Sequence, residues 1–122
     1  MGYHVIDPTD LDPTPDRPCT KLAVSDAADL EEFALNVYEA EPGEQIPLAY
    51  HLHTTQEEAM YVLSGTMHVQ TPAGEHVVSA DQVFVAEPGS PHRAYNPEDA
   101  DEPIRVLAVG APRVDDAEVY DP

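Results

Sequence analysis

His51 and His53 stand two apart in a run, residues 46–53, that reads as a β-strand. Side chains two apart on a strand leave the same face, so this His-x-His pair offers two imidazoles to one ion. Taken alone, such a pair is more often a surface or hydrogen-bonding feature. Its surroundings strengthen it. A polar turn, Thr54-Thr55-Gln56, leads to Glu57-Glu58 at the mouth of an apolar strand. Adjacent strand residues face opposite sides, which puts one of these acids toward the core and the other in solvent. A buried carboxylate is costly unless it is paired or bound to a cation. Much later, His92 follows Pro88-Gly89-Ser90-Pro91, a stiff turn that fixes where the next strand begins. Three imidazoles and one carboxylate suit Fe(II), Mn, Ni, Co or Zn at about 2.0–2.2 Å, and they leave positions open to water or substrate.

Other residues carry weaker arguments. Arginine is scarce here, and Arg93 or Arg105 would suit a carboxylate or phosphate on a substrate, although a salt bridge to a neighbouring acid is the commoner role. His68 and His76 read as surface or pocket-wall residues, and His4 has no role. Cys19 is the sole cysteine, so it forms no intrachain disulfide, and no catalytic signature surrounds it.

The elements that must position these groups are short strands. Apolar alternation begins at Phe33 and stops at Pro42-Gly43. Further strands read at 46–53, 59–63, 66–71, 75–79, 82–86, 93–96 and 104–109, broken by Gly, Pro and Asn turns. This spacing, with little helix between, predicts an antiparallel sandwich or barrel. A short helical turn is expected over residues 27–32 with Ser25 or Asp26 as its N-cap. Residues 1–18 interleave Pro and Asp and predict an extended arm.

The chain carries 24 acidic residues against 5 basic ones, a formal net charge of −19, with Lys21 its single lysine. The regular alternation argues against a disordered acidic chain, and the scattering of the acids argues against a docking stripe for a basic partner. Adaptation to molar salt accounts for the composition: the Debye length there is about 3 Å, so surface acids repel one another weakly. Few lysines also means few long apolar stems on the surface. Stability is therefore expected to fall at low salt, and a thermal melt unchanged between low and molar KCl would contradict this. Nothing in the chain neutralises a run of phosphates, so no nucleic-acid partner is expected. No apolar run approaches the roughly 20 residues of a membrane span, and the acidic N-terminus differs from a signal peptide, which predicts a cytoplasmic protein with no membrane partner.

Two stretches resemble the paired motifs of the cupin superfamily. Residues 43–65 carry Gly43, then His51-Leu52-His53, four residues, Glu58, six residues and Gly65; residues 87–96 read Glu-Pro-Gly-Ser-Pro-His-Arg-Ala-Tyr-Asn. The spacer after Gly43 is longer than the family pattern. Glu87 replaces a proline and Asp81 a glycine, all at turn positions. The resemblance implies an all-β fold, an antiparallel double-stranded β-helix (jelly-roll barrel) over residues 19–115, between the extended arm 1–18 and a C-terminal tail 116–122. It also implies His51, His53, Glu58 and His92 as the ligands of one divalent transition metal ion (Fe, Mn, Zn or Ni), with Glu57 as the solvated neighbour. Met60, Val62 and Tyr38 are expected to line the pocket, with Gln45 and Tyr50 near its entrance. Asn96 matches a motif position, where a turn-holding hydrogen bond is at least as fitting as a substrate contact. The function so implied is a metal-dependent enzyme of dioxygenase, isomerase or lyase type acting on a small organic molecule. The alternative is a non-catalytic cupin that binds a sugar or carboxylate. Related cupins pair through sheet edges, so a homodimer is expected.

Overall fold

The computed structural model describes residues 2–122. Ten strands follow one another: β1 (Thr20–Ala23), β2 (Ala34–Ala40), β3 (His51–His53), β4 (Glu57–Ser64), β5 (Thr66–Thr71), β6 (Gly74–Ser79), β7 (Val83–Ala86), β8 (Arg93–Tyr95), β9 (Ile104–Ala111) and β10 (Ala117–Val119). One layer is a five-stranded antiparallel sheet in the order β1-β2-β9-β4-β7. The other joins β6-β5-β8 to β3-β10. The link between these two parts is a bridge between His51 and His92, in which the His92 N–H donates to the His51 carbonyl at 2.9 Å and the His51 N–H to the His92 carbonyl at 3.3 Å. Two metal-ligand candidates thus sit side by side on neighbouring strands. This is the expected jelly-roll.

β9 shows why the layers hold together. Ile104, Val106, Ala108 and Gly110 are buried and alternate with more exposed neighbours, the period-2 signature of a strand with one face in the core. Ile104, Val106 and Ala108 meet Met60 and Val62 of β4 and Met67 and Val69 of β5 in a single apolar cluster. Each fully buried side chain of this size contributes about 1.5–3 kcal/mol. Cys19 belongs to the same cluster, and burial pushes its thiol up to about 11, so it is inert rather than nucleophilic.

Several local expectations are corrected. Residues 46–50 do not pair as strand. Pro47 lacks an N–H, and the Gln45 side-chain amide donates to the Pro47 and Leu48 carbonyls, which bends the chain before β3 begins. The helical turn lies at Val24–Ala27, earlier than expected, with Ala23 as N-cap. Ser25 is inside it and buried, and its hydroxyl oxygen accepts from the Leu35 N–H at 3.1 Å, so it serves β2 and not the helix end. β1 was not anticipated, and β10 lies within the stretch read as a C-terminal tail. Among the described residues, no helix is long and apolar enough to cross a membrane.

Candidate metal centre

The pleat of β4 settles the choice between the paired acids: Glu57 is exposed, while Glu58 turns inward beside the imidazoles. The Glu58 carboxylate lies 3.1 Å from His92 Nε2 and 3.7 Å from His53 Nε2. His51 Nε2 and His53 Nε2 are 3.2 Å apart. All four side chains selected from the sequence therefore meet at one point between the two layers. They bond to one another there, and among the described residues no group of three or more His, Cys, Asp or Glu side chains stands as a ready-made metal cage.

The outward nitrogens of the three rings are all engaged. His51 Nδ1 lies 2.9 Å from the Ala49 carbonyl, and His92 Nδ1 lies 2.9 Å from the Ser90 carbonyl. His53 Nδ1 lies 2.8 Å from Asp116 Oδ1. Carbonyls and carboxylates accept only, so each Nδ1 donates outward and each ring turns its Nε2 inward, where His92 Nε2 donates to the Glu58 carboxylate. Asp116 is itself held tightly: its Oδ2 accepts the N–H groups of Thr55 and Gln56, both at 2.7 Å. Burial opposes its ionisation, but those two N–H groups and His53 outweigh it and hold the carboxyl at about 2.

The electrostatics follow from this crowding. Burial, reinforced by the nearby His92, lowers the pKa of His51 against the opposing pull of the Ala49 carbonyl and Glu58. Burial also acts to lower His92, yet its hydrogen bonds to Glu58 and the Ser90 carbonyl raise it overall. For Glu58, burial favours the neutral acid, but His92 and the other imidazoles keep it below the usual carboxylate range.

The cavity beside these residues has a volume of about 330 Å³. Tyr38 and Met60 line it as expected, together with Gln56 and Arg17. Val62 does not; it is fully buried in the core. Gln45 holds backbone carbonyls, and Tyr50 packs on Tyr120 with ring centroids 5.0 Å apart. Arg93 donates to Gln70 and Gln45, and Arg105 pairs with Glu39, so neither reaches the cavity. Asn96 is buried and donates to the Ala40 and Glu102 carbonyls, the turn-holding role. His68 is occupied by Glu75, and His76 is exposed.

Two site residues escaped the sequence reading. Asp116 sits 63 positions from His53 in an acid-rich chain, where no local pattern marks it. Arg17 carried the same signal of scarcity that drew attention to Arg93 and Arg105, but its place ahead of β1, outside any expected strand, hid it.

The family model described as the cupin domain matches residues 36–110, more than half of the chain. The chain belongs to the cupin family. Solved structures agree on the fold. This cupin superposes on a sugar phosphate isomerase of the cupin superfamily from Silicibacter pomeroyi with a TM-score of 0.77 and 24% identity, covering 88% of this chain and 75% of that one. It matches an uncharacterised protein with a double-stranded β-helix domain from Klebsiella pneumoniae at TM-score 0.76 and 21% identity, over 98% and 99% of the two chains. A provisionally assigned sugar phosphate isomerase from Acidithiobacillus ferrooxidans gives TM-score 0.71 and 26% identity, with 81% of this cupin and 62% of that chain covered, so the cupin spans less than two thirds of that relative. Comparison with curated proteins finds no match.

Proposed function

We propose that this cupin is a metal-dependent enzyme acting on a small organic molecule in the barrel cavity, with His51, His53, Glu58 and His92 as ligands of one divalent transition metal ion. One observation carries the reading: His51 Nε2 and His53 Nε2 face each other at 3.2 Å while both Nδ1 atoms donate outward. Two lone pairs at that distance repel unless a proton or a metal cation lies between them. Donors that share one ion at about 2.0–2.2 Å stand roughly 3 Å apart, so the spacing fits the group. A carboxylate adds the negative charge that a divalent cation prefers, and the outward hydrogen bonds fix each ring's tautomer and aim.

When bound, the ion would supply Lewis acidity toward a carbonyl or carboxylate oxygen. The protein's own groups bind and orient. Tyr38, pushed up to about 12 mainly by burial, stays a neutral phenol that can donate a hydrogen bond but does not serve as a base. Met60 supplies an apolar wall. Isomerases and lyases are among the classes that such Lewis acidity serves. A structural relative named as a sugar phosphate isomerase and one named as a predicted oxalate decarboxylase, from Thermotoga maritima, support these classes. Elemental analysis of untagged protein prepared without chelator tests the reading. About one Zn, Mn or Ni per chain is expected. Iron would turn the reading to oxygen chemistry, and no metal after reconstitution would overturn it.

Asp116→Asn is expected to weaken metal affinity about 10–100-fold, the usual cost of losing a group that orients a ligand. An amide has one acceptor oxygen, so it cannot accept from His53 on one side and from the Thr55 and Gln56 N–H groups on the other. Competition with a chromogenic chelator measures the change, and an unaltered affinity would remove Asp116 from the site.

A further inference from the structure

Arg17 is the one lysine or arginine among the described residues that line the cavity. It reaches the cavity from the segment ahead of β1. Asp16 takes a left-handed conformation, φ 60°, and the Thr14 N–H bonds the Lys21 carbonyl at 2.9 Å, so the intervening loop turns Arg17 toward the barrel. Its guanidinium lies 5.8 Å from the Tyr38 ring centroid, and Nη2 donates to the Ile46 carbonyl at 2.9 Å.

Most of its hydrogen-bonding capacity is unused. A guanidinium has five N–H donors, and buried Nε has no partner. In a chain with 24 acidic residues, Arg105 pairs with Glu39 and Arg113 with Asp26, yet no ion pair among the described residues involves Arg17. A half-buried cation without a counter-ion is costly, and this one lines the cavity.

We propose that Arg17 is the anion anchor of the cavity, so that the molecule bound there carries an oxyanion group, a carboxylate or a phosphoryl. The inference rests on the reading of this cavity as the substrate site. A net charge of −19 repels anions at long range, and molar salt screens attraction beyond about 3 Å, so an anion is held here only by direct contact. Two acids oppose it. Glu58 faces the imidazoles, and Glu118 lies on the exposed edge strand β10. The guanidinium supplies the compensating charge and a planar fork suited to two oxygens.

Calorimetric titration with malonate and with inorganic phosphate at fixed ionic strength tests the anchor and separates the two oxyanions. Wild-type protein is expected to bind at least one of them. Arg17→Gln should weaken that binding roughly 10–100-fold. Arg17→Lys should recover part of it, since an ammonium keeps the charge but lacks the fork. Arg105→Gln should have no effect. Metal content, measured on the same samples, should not change in Arg17→Gln. Arg17-dependent binding to a protein that holds no metal would keep the anchor and remove the metal reading; bound metal with anion affinity unchanged in Arg17→Gln would do the reverse. Uptake of neither anion by wild type, or loss of fold and metal together in both Arg17 variants, would reduce Arg17 to packing on Tyr38 and overturn the proposal.

Discussion

His92→Ala is expected to cost more than about 100-fold in metal affinity, leaving protein that elutes nearly metal-free. His92 is the most buried of the three imidazoles, with 2% of its surface exposed, and its Nε2 is the nearest partner of Glu58. The substitution removes a donor and also leaves the inward Glu58 carboxylate without its closest hydrogen bond. The fold should persist, because the bridge between the two halves of the second layer runs through the backbones of His51 and His92 and survives an alanine. His51→Ala should behave similarly, whereas His68→Ala, whose ring is held by Glu75 away from the cavity, should keep a full metal complement. Elemental analysis with circular dichroism on the three variants checks this. Full metal retention in both His51→Ala and His92→Ala would remove the assigned site.

Gly65→Ala should destabilise the protein by about 3–4 kcal/mol, a shift of about 10 °C or more in Tm for a domain of this size. Gly65 joins β4 to β5 with φ 79°, a conformation that costs little for glycine and considerably more with a side chain. A Cβ there would also come within 2.6 Å of the Pro103 carbonyl oxygen and 2.9 Å of Ile104 Cγ2. The first of these is backbone and cannot swing aside, and Ile104 is a fully buried part of the core. The last glycine of the first sequence motif is thus explained by close approach. Scanning calorimetry at molar salt is the measurement, and an unchanged Tm would show that the turn adapts.

Much of the site was legible because strand periodicity is local. His51 and His53 share a face because they are two apart, and Glu58 points inward where Glu57 does not because adjacent residues alternate. The same regularity made the strands from β4 to β9 readable within a few residues. It failed at residues 46–50, where Pro47 and the Gln45 side chain divert backbone hydrogen bonds that a strand would use. It also failed at β1 and β10, short edge strands whose pairing partners, β2 and β3, define them more than their own composition does.

By itself, the sequence determined the all-β class, the shared face of His51 and His53, and a strongly acidic composition. Each depends on residue type, on spacing within one strand or on total charge. Tertiary structure alone decided that Asp116 aims His53, that carbonyls of Ala49 and Ser90 orient the other two rings, and that Arg17 lines the cavity from the segment ahead of β1. These relations join positions up to 63 residues apart through hydrogen bonds and loop closure. Side-chain periodicity carries no information at that range, because the partner is chosen by how the two layers fold over each other.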